Sequence, residues 1–332
     1  MPAASVSLTD WSFDPSIYAG VAFVCALYAI AHRRGWLSSS DDLRPWGLTP
    51  RSRVLMFAIG VLVCFVALES PIDYIGDNYL NAIHMVQHML LMVVAPPLVL
   101  LGIAGARSPA RGWMRGPWRI WTAITNPWTA LCLFTATMWI WHYPPWYDAA
   151  LYNDTLHAFE HLTLLAAGLV FFWSVVDPIR GEGIRPVPSW TKLVTMSLAG
   201  APCTALAFIF IVAPQPFYSF YVAAPRLWGI SALADQQLGG VAMLVLFHLT
   251  MFSAITPVFL RMFRGSPEDD ERALEPLSAL VRALAQPATP ALPSPAREEA
   301  PGPAAPSRQP GAPLPTLSPQ GAAPALSPAA TD

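Results

Sequence analysis

The sequence has 332 residues, of which 54% are hydrophobic and only 12% are charged. A typical soluble domain carries about 25% charged residues, so this composition excludes an ordinary soluble protein and predicts one that crosses a membrane several times. The formal net charge of −2 is uninformative by itself. The four cysteines lie singly in apolar runs, which indicates neither a disulfide framework nor a thiolate metal site.

Seven apolar stretches approach the roughly 20 residues that a helix needs to cross a bilayer. The sequence therefore predicts an all-α fold, a polytopic membrane bundle of seven transmembrane helices. The predicted spans lie near residues 13–31, 53–70, 79–101, 126–146, 157–176, 192–213 and 236–260.

The segments between the spans alternate in charge. Segment 32–53 holds five arginines, segment 102–126 holds four, and segment 177–192 holds two arginines and a lysine. At the ends of the second and fourth spans the chain carries acidic residues, namely Glu69, Asp73 and Asp77 in the first case and Asp148 and Asp154 in the second, with no Lys or Arg among them. By the positive-inside rule, the N-terminus is predicted outside and the C-terminus in the cytoplasm.

The chain is expected to have two parts, a transmembrane domain over residues 1–265 and a Pro/Ala-rich tail over residues 266–332. Residues 276–332 contain 14 of the 35 prolines and no aromatic residue. Such a segment cannot bury enough apolar surface to offset the entropy of ordering it. The tail is therefore predicted to be disordered and cytoplasmic.

The strongest pattern in the sequence is a pair of histidines four residues apart that occurs twice. His84 and His88 lie in the third predicted span, and His157 and His161 begin the fifth. A spacing of four places both imidazoles on one face of a helix. Polar side chains inside a span are costly, so their presence indicates a functional role.

Five of the seven histidines are expected to share one layer near the outer face. The third and fifth spans run in the same direction, so at about 1.5 Å per residue the two pairs lie at matched depths. The five are His84, His88, His142, His157 and His161. His248, far along the last span, is expected to lie well below them.

Imidazole suits copper, zinc, iron and nickel, and a thioether favours Cu(I). Met85 lies nearer the face of the first histidine pair than Met89 does, so it is the candidate sulfur ligand. Glu160, within one turn of both histidines of the second pair, either orients an imidazole or carries charge. In the alternative interpretation, the histidines only form hydrogen bonds between helices. Asp235, Gln236 and Gln237, at the start of the last span, either line the site or mark a helix interface.

Four motifs resemble one known family. They are HMVQHMLL with a following APPL (residues 84–98), WHYPPWYDAALYN (141–153), HAFEH (157–161) and DQQLGG (235–240). In this order they resemble the CtaG-like, multi-span cytochrome c oxidase assembly factors, over about residues 15–262. The resemblance implies a role in the maturation of a haem–copper oxidase in the bacterial inner (plasma) membrane, through copper handling.

The first functional hypothesis is an assembly factor that holds Cu(I) near the outer face and passes it to the oxidase. Its expected partners are oxidase subunits, a copper donor protein and the lipid bilayer, with no nucleic acid. We expect no enzymatic activity, because no acid/base pair or nucleophile accompanies the shallow ligands. The alternatives are a haem-binding membrane protein, with an axial histidine from each of two helices, and a metal-free assembly scaffold.

The predicted orientation can be tested by cysteine labelling in a background that lacks the four native cysteines. We expect Asp154→Cys to react with an impermeant thiol reagent added to intact cells. We expect Arg111→Cys to react only after lysis, because it lies in an arginine-rich segment. Labelling of Arg111→Cys in intact cells would contradict the predicted orientation.

Overall fold

The computed structural model describes residues 11–37, 47–107, 115–180 and 186–264. The predicted disordered tail, residues 266–332, lies outside the described residues. Within the described residues the fold is helical, which agrees with the predicted class, and its strands are two parallel-paired segments of two residues each.

Twelve α-helices occur in the described part of the chain. They are α1 (Pro15–Arg33), α2 (Pro50–Glu69), α3 (Pro71–Asn78), α4 (Asn81–Met89), α5 (Ala95–Gly102), α6 (Arg115–Ile124), α7 (Pro127–Trp141), α8 (Pro144–Leu151), α9 (Asp154–Val176), α10 (Ser189–Val212), α11 (Ser219–Ala223) and α12 (Ala232–Arg264). A π-helical segment, Leu90–Val94, joins α4 to α5, and the strands are β1 (Ala106–Arg107) and β2 (Ile179–Arg180).

Six helices in these ranges are long and apolar enough to cross a membrane. They are α1, α2, the continuous α4–α5 unit, α9, α10 and α12. The fourth predicted span, residues 126–146, is shorter than expected, since α7 has 15 residues and ends at Trp141. Pro144 and Pro145 follow and begin α8, because proline is favoured in the first turn of a helix and not in its interior. The seven-span topology and its orientation stay a prediction.

The N-terminus of α4 is held by a neighbouring helix. Several helices carry their own side-chain cap, as Asn153 does for α9, but the N-cap position of α4, Leu80, makes no side-chain cap bond. Instead, the Asp235 carboxylate on α12 accepts hydrogen bonds from the backbone N–H groups of Asn81 (2.7 Å) and Ala82 (2.9 Å). A carboxylate at a helix N-terminus stabilises the unpaired donors and the helix dipole. Asp235 thereby fixes α4 to α12.

The α4–α5 unit also touches α9 very closely. Pro96 and Pro97 lack the N–H groups that would bond to the carbonyls four residues earlier, and the π-helical segment directly precedes them. Gly168 of α9 packs where one of these carbonyls lies: a Cβ on it would overlap the Met92 carbonyl oxygen and lie 2.7 Å from Pro96 Cγ. The absence of a side chain at Gly168 sets the distance between α9 and the α4–α5 unit.

We predict that Gly168→Ala destabilises the bundle by about 1–3 kcal/mol or more, because the added methyl group overpacks this contact. Gly200→Ala is the matched control, since a Cβ on Gly200 would meet only Phe247 Cε1 at 3.9 Å. Thermal unfolding of the purified protein in detergent measures both. Equal midpoints for the two variants would show that the Gly168 contact tolerates a methyl group.

Candidate metal centre

Short helices and three tyrosines cover the end of the bundle where α4 and α9 begin. Tyr147 of α8, Tyr218 at the N-cap of α11 and Tyr221 within α11 are all buried. The Asp148 carboxylate on α8 accepts hydrogen bonds from the N–H and hydroxyl groups of Ser219, which joins α8 to the start of α11. These tyrosines form a lid over the histidines.

The five sequence-predicted histidines meet beneath this lid, as the depth argument expects. Their imidazole rings contact one another in six pairs. The centroid distances are 4.3 Å for His84–His88 and for His157–His161, 5.2 Å for His84–His157, 5.4 Å for His88–His161, and 5.6 Å for His84–His161 and for His88–His142. Three helix segments therefore supply one cluster of imidazoles.

Three of these imidazoles can bind one ion together. His84, His88 and His161 each offer a ring nitrogen, and the three nitrogens lie within 4.8 Å of one another. The Nε2 atoms of His84 and His161 are 3.4 Å apart. We call these three residues the buried group, since His84 and His88 are fully buried and His161 is 7% exposed.

The tautomer of His84 follows from its neighbours. The Tyr221 hydroxyl donates its only proton to the Gly76 carbonyl at 2.7 Å. His84 Nδ1, 2.8 Å from the same hydroxyl, must then be the donor in that contact. His84 Nε2 consequently carries a lone pair, and it faces Nε2 of His161. Either His161 donates a proton to it, or both lone pairs face a common cation.

His142 is oriented in a similar way. Its Nδ1 lies 2.6 Å from the Met138 carbonyl and donates to it, because a carbonyl can only accept. Its Nε2 is left with a lone pair and no hydrogen-bond partner within the described residues. The Tyr218 hydroxyl donates to the His142 carbonyl, which ties the end of α7 to the lid.

Glu160 contacts the other helix, and not the histidines of its own turn that the sequence suggested as partners. Its Oε1 lies 3.5 Å from His88 Nε2, and both side chains are 0% exposed. Neither carboxylate oxygen has a hydrogen-bond partner within the described residues. A buried carboxylate without compensation is very costly, so a positive charge close to Glu160 would stabilise it.

Asp77 extends the cluster towards the surface. One of its carboxylate oxygens lies 3.6 Å from His157 Nδ1. Burial raises the pKa of the Asp77 carboxyl, and the nearby carboxylates of Asp73 and Asp154 raise it further. A cation beside Asp77 would favour its ionised form.

The remaining candidates have structural contacts. Met85 is fully buried, and its Cγ lies 3.1 Å from where a Cβ on Gly239 of α12 would be. His248 contacts Thr204 and the Leu244 carbonyl. Asp235 marks a helix interface, as one of its two interpretations proposed, and Gln236 accepts a hydrogen bond from the Phe217 N–H.

A family model for cytochrome c oxidase caa3 assembly factors matches residues 26–265, most of the chain. The chain belongs to this family. All five histidines and Glu160 lie in the part of the family member that the model matches. This agrees with the resemblance carried by the four sequence motifs.

Curated relatives of this family member are longer proteins. It is 27% identical to an uncharacterized protein of Mycobacterium bovis over 258 residues, which cover 72% of this chain and 37% of the relative. An uncharacterized protein of Mycobacterium tuberculosis gives the same values. One of Mycobacterium leprae is 25% identical over 252 residues, 70% of this chain and 36% of the relative. The chain thus spans well under half the length of these relatives. No solved structure matches.

The lid tyrosines were not singled out from the sequence as site residues, although Tyr147 lies within one of the four motifs. A tyrosine in an apolar chain gives no signal of its own, since aromatic residues also form interfacial belts. The Trp-Tyr-Asp and Phe-Tyr-Ser-Phe-Tyr runs, in segments next to the spans, were the available signal.

We predict that Tyr221→Phe lowers the stability of the protein by about 1–3 kcal/mol, because it leaves the buried Nδ1–H of His84 and the Gly76 carbonyl without a partner. The measurement is thermal unfolding in detergent. Tyr152→Phe is the control, since Tyr152 is 68% exposed and its ring lies against Phe220. If both variants unfold at the same temperature, the Tyr221 hydroxyl does not hold His84.

Proposed function

We propose that this protein binds a Cu(I) ion through His84, His88 and His161 and delivers it to a cytochrome c oxidase subunit during assembly of the enzyme. The observation that carries the proposal is the convergence of three buried ring nitrogens from two helices within 4.8 Å. The family supplies the setting, since its members are described as cytochrome c oxidase assembly factors.

The spacing of the nitrogens fits a coordinated metal ion. A metal–nitrogen bond of about 2.0–2.1 Å places ligand nitrogens roughly 3.3–3.6 Å apart in tetrahedral or trigonal sites. The two Nε2 atoms of His84 and His161 are 3.4 Å apart. A coordinated ion between them requires no proton on either nitrogen, and the tautomer of His84 already satisfies this requirement.

Charge supports a monovalent ion. The imidazoles are neutral when they coordinate a metal, so the Glu160 carboxylate beside His88 is the nearest group that can balance the ion. A Cu(I) ion and one carboxylate together are neutral, which lowers the cost of burying both. His142, whose ring contacts that of His88, is placed to add a fourth nitrogen.

The ligand set we propose consists of nitrogen alone. Cu(I) accepts imidazole as well as thioether ligands, and Met85 packs its Cγ towards α12. Ligation by Met85 stays a prediction outside the proposed set. The close contact between the imidazole rings also favours an ion over haem, since a porphyrin held between two of these histidines would have to separate them.

Delivery is proposed to take place at the membrane. A multi-pass protein in the bacterial inner membrane would hold the ion at the lid end of the bundle, below the surface, until an oxidase subunit accepts it. A copper donor protein would supply the ion from the same side. No chemical step beyond ligand exchange is needed, so the protein acts as a carrier and not as an enzyme.

We predict that His88→Ala and His161→Ala each abolish copper binding while the protein still accumulates in the membrane, because each removes a ligand that water cannot replace at this depth. The measurement is copper per protein after purification in a buffer without chelators. His248→Ala is the control, since its ring is held by Thr204 and the Leu244 carbonyl.

Oxidase activity in the same cells should fall with the first two substitutions and recover in part when excess copper is supplied. If both variants bind copper normally, the buried group is not the site. A purified protein with a haem absorption band or with zinc alone would contradict the choice of metal.

A further inference from the structure

A second set of potential ligands lies beside the buried group and shares one residue with it. Asp77, His84 and His157 each offer a ligand atom, and these atoms lie within 4.8 Å of one another. We call these three residues the peripheral group. Nδ1 of His157 approaches an Asp77 oxygen at 3.6 Å, which is too long for a hydrogen bond.

Two buried atoms of this group are also unpaired. Asp77 Oδ1 and His157 Nε2 are buried atoms without a hydrogen-bond partner among the residues that the structure describes. Buried polar atoms are nearly always satisfied in proteins, and an exception calls for an explanation such as a bound ion. Two such atoms, on α3 and α9 residues whose His157 Nδ1 and Asp77 Oδ2 atoms lie 3.6 Å apart, point to a ligand.

Exposure falls steadily from the peripheral group to the buried group. The Asp77 side chain is 25% exposed and that of His157 is 14% exposed, whereas His84 and His88 are fully buried. An ion that arrives from solvent would therefore meet Asp77 and His157 first. The neighbouring carboxylates of Asp73 and Asp154 make this approach negative, which attracts a cation.

The shared histidine makes the two groups alternative positions for one ion. Because His84 donates through Nδ1 to Tyr221, one nitrogen of its ring is left for coordination. That nitrogen can bind an ion held with Asp77 and His157, or an ion held with His88 and His161. His157 and His161 are themselves in ring contact at 4.3 Å, so the two positions adjoin.

We propose that Asp77 and His157 form a port through which Cu(I) reaches and leaves the buried group, with His84 as the ligand common to both positions. This inference rests on the proposed function. During the transfer, the copper bonds to Asp77 and His157 break as bonds to His161 and His88 form. The copper–His84 bond is kept, and copper stays Cu(I) throughout.

The experiment compares the rate of copper loading with copper binding at equilibrium. The full-length protein is purified in detergent, stripped of metal, and mixed with Cu(I) supplied as its bicinchoninate complex without oxygen. We expect Asp77→Asn and His157→Ala each to slow loading by about tenfold or more, because each removes a ligand from the entry position, and a barrier raised by about 1.4 kcal/mol is a factor of ten in rate. Both should still take up copper at equilibrium, which also shows that they are folded.

Asp154→Asn is the matched control. It removes a neighbouring negative charge and leaves all three ligands of the peripheral group, so its loading should be slowed much less than that of Asp77→Asn. If Asp154→Asn slowed loading as much as Asp77→Asn does, the effect would come from negative charge in general and not from ligation at the port. That result would overturn the inference.

Two further outcomes would also overturn the port. Wild-type loading rates in both variants would mean that copper reaches the buried group by another route. If Asp77→Asn and His157→Ala lost copper binding at equilibrium, as His88→Ala is expected to, Asp77 and His157 would belong to the same binding site as the buried group and not to a port. A wild-type protein that takes up no copper would instead contradict the proposed function itself.

Discussion

The hydrogen bonds between the Asp235 carboxylate and the first backbone N–H groups of α4 hold the helix that carries His84 and His88. Without a cap of its own, α4 is fixed at its N-terminus by a residue 154 positions further along the chain. Two side-chain hydrogen bonds also hold this end of α4: Asn81 bonds to the Tyr147 hydroxyl and His84 bonds to the Tyr221 hydroxyl. The first histidine pair is thus held by backbone capping from α12 and by side-chain bonds from the lid.

The second histidine pair is brought to the first by the close packing of α9. Gly168 lets α9 approach the carbonyl that Pro96 leaves without its helical donor. This contact lies two turns further along α9 than His161, and it governs how close His161 comes to His84. A site for a metal ion requires nitrogen positions held to within a few tenths of an ångström, which rigid helices supply better than loops do.

The proposed ion would explain why so many polar atoms lie inside an apolar bundle. Glu160, His88 and His142 are buried with atoms that lack hydrogen-bond partners in the described ranges, which would be a large cost in a protein without a ligand. In the proposed function, a cation among them would turn this cost into a driving force for binding. The lid tyrosines would then keep water from competing for the proposed ligand nitrogens.

Much of this could be predicted from the sequence. Hydropathy and length predicted a helical membrane protein, since a backbone in lipid must satisfy its own hydrogen bonds. The repeated spacing of four residues and the depth count brought five histidines together, because both depend only on helix geometry. The spacing and the depth count could not predict which side chains of different helices contact one another. The contact of Glu160 with His88, the hydrogen bond between His84 and Tyr221, and the capping of α4 by Asp235 all join residues far apart in sequence. Only the tertiary structure decided them, because they depend on how each helix is rotated and how closely it packs.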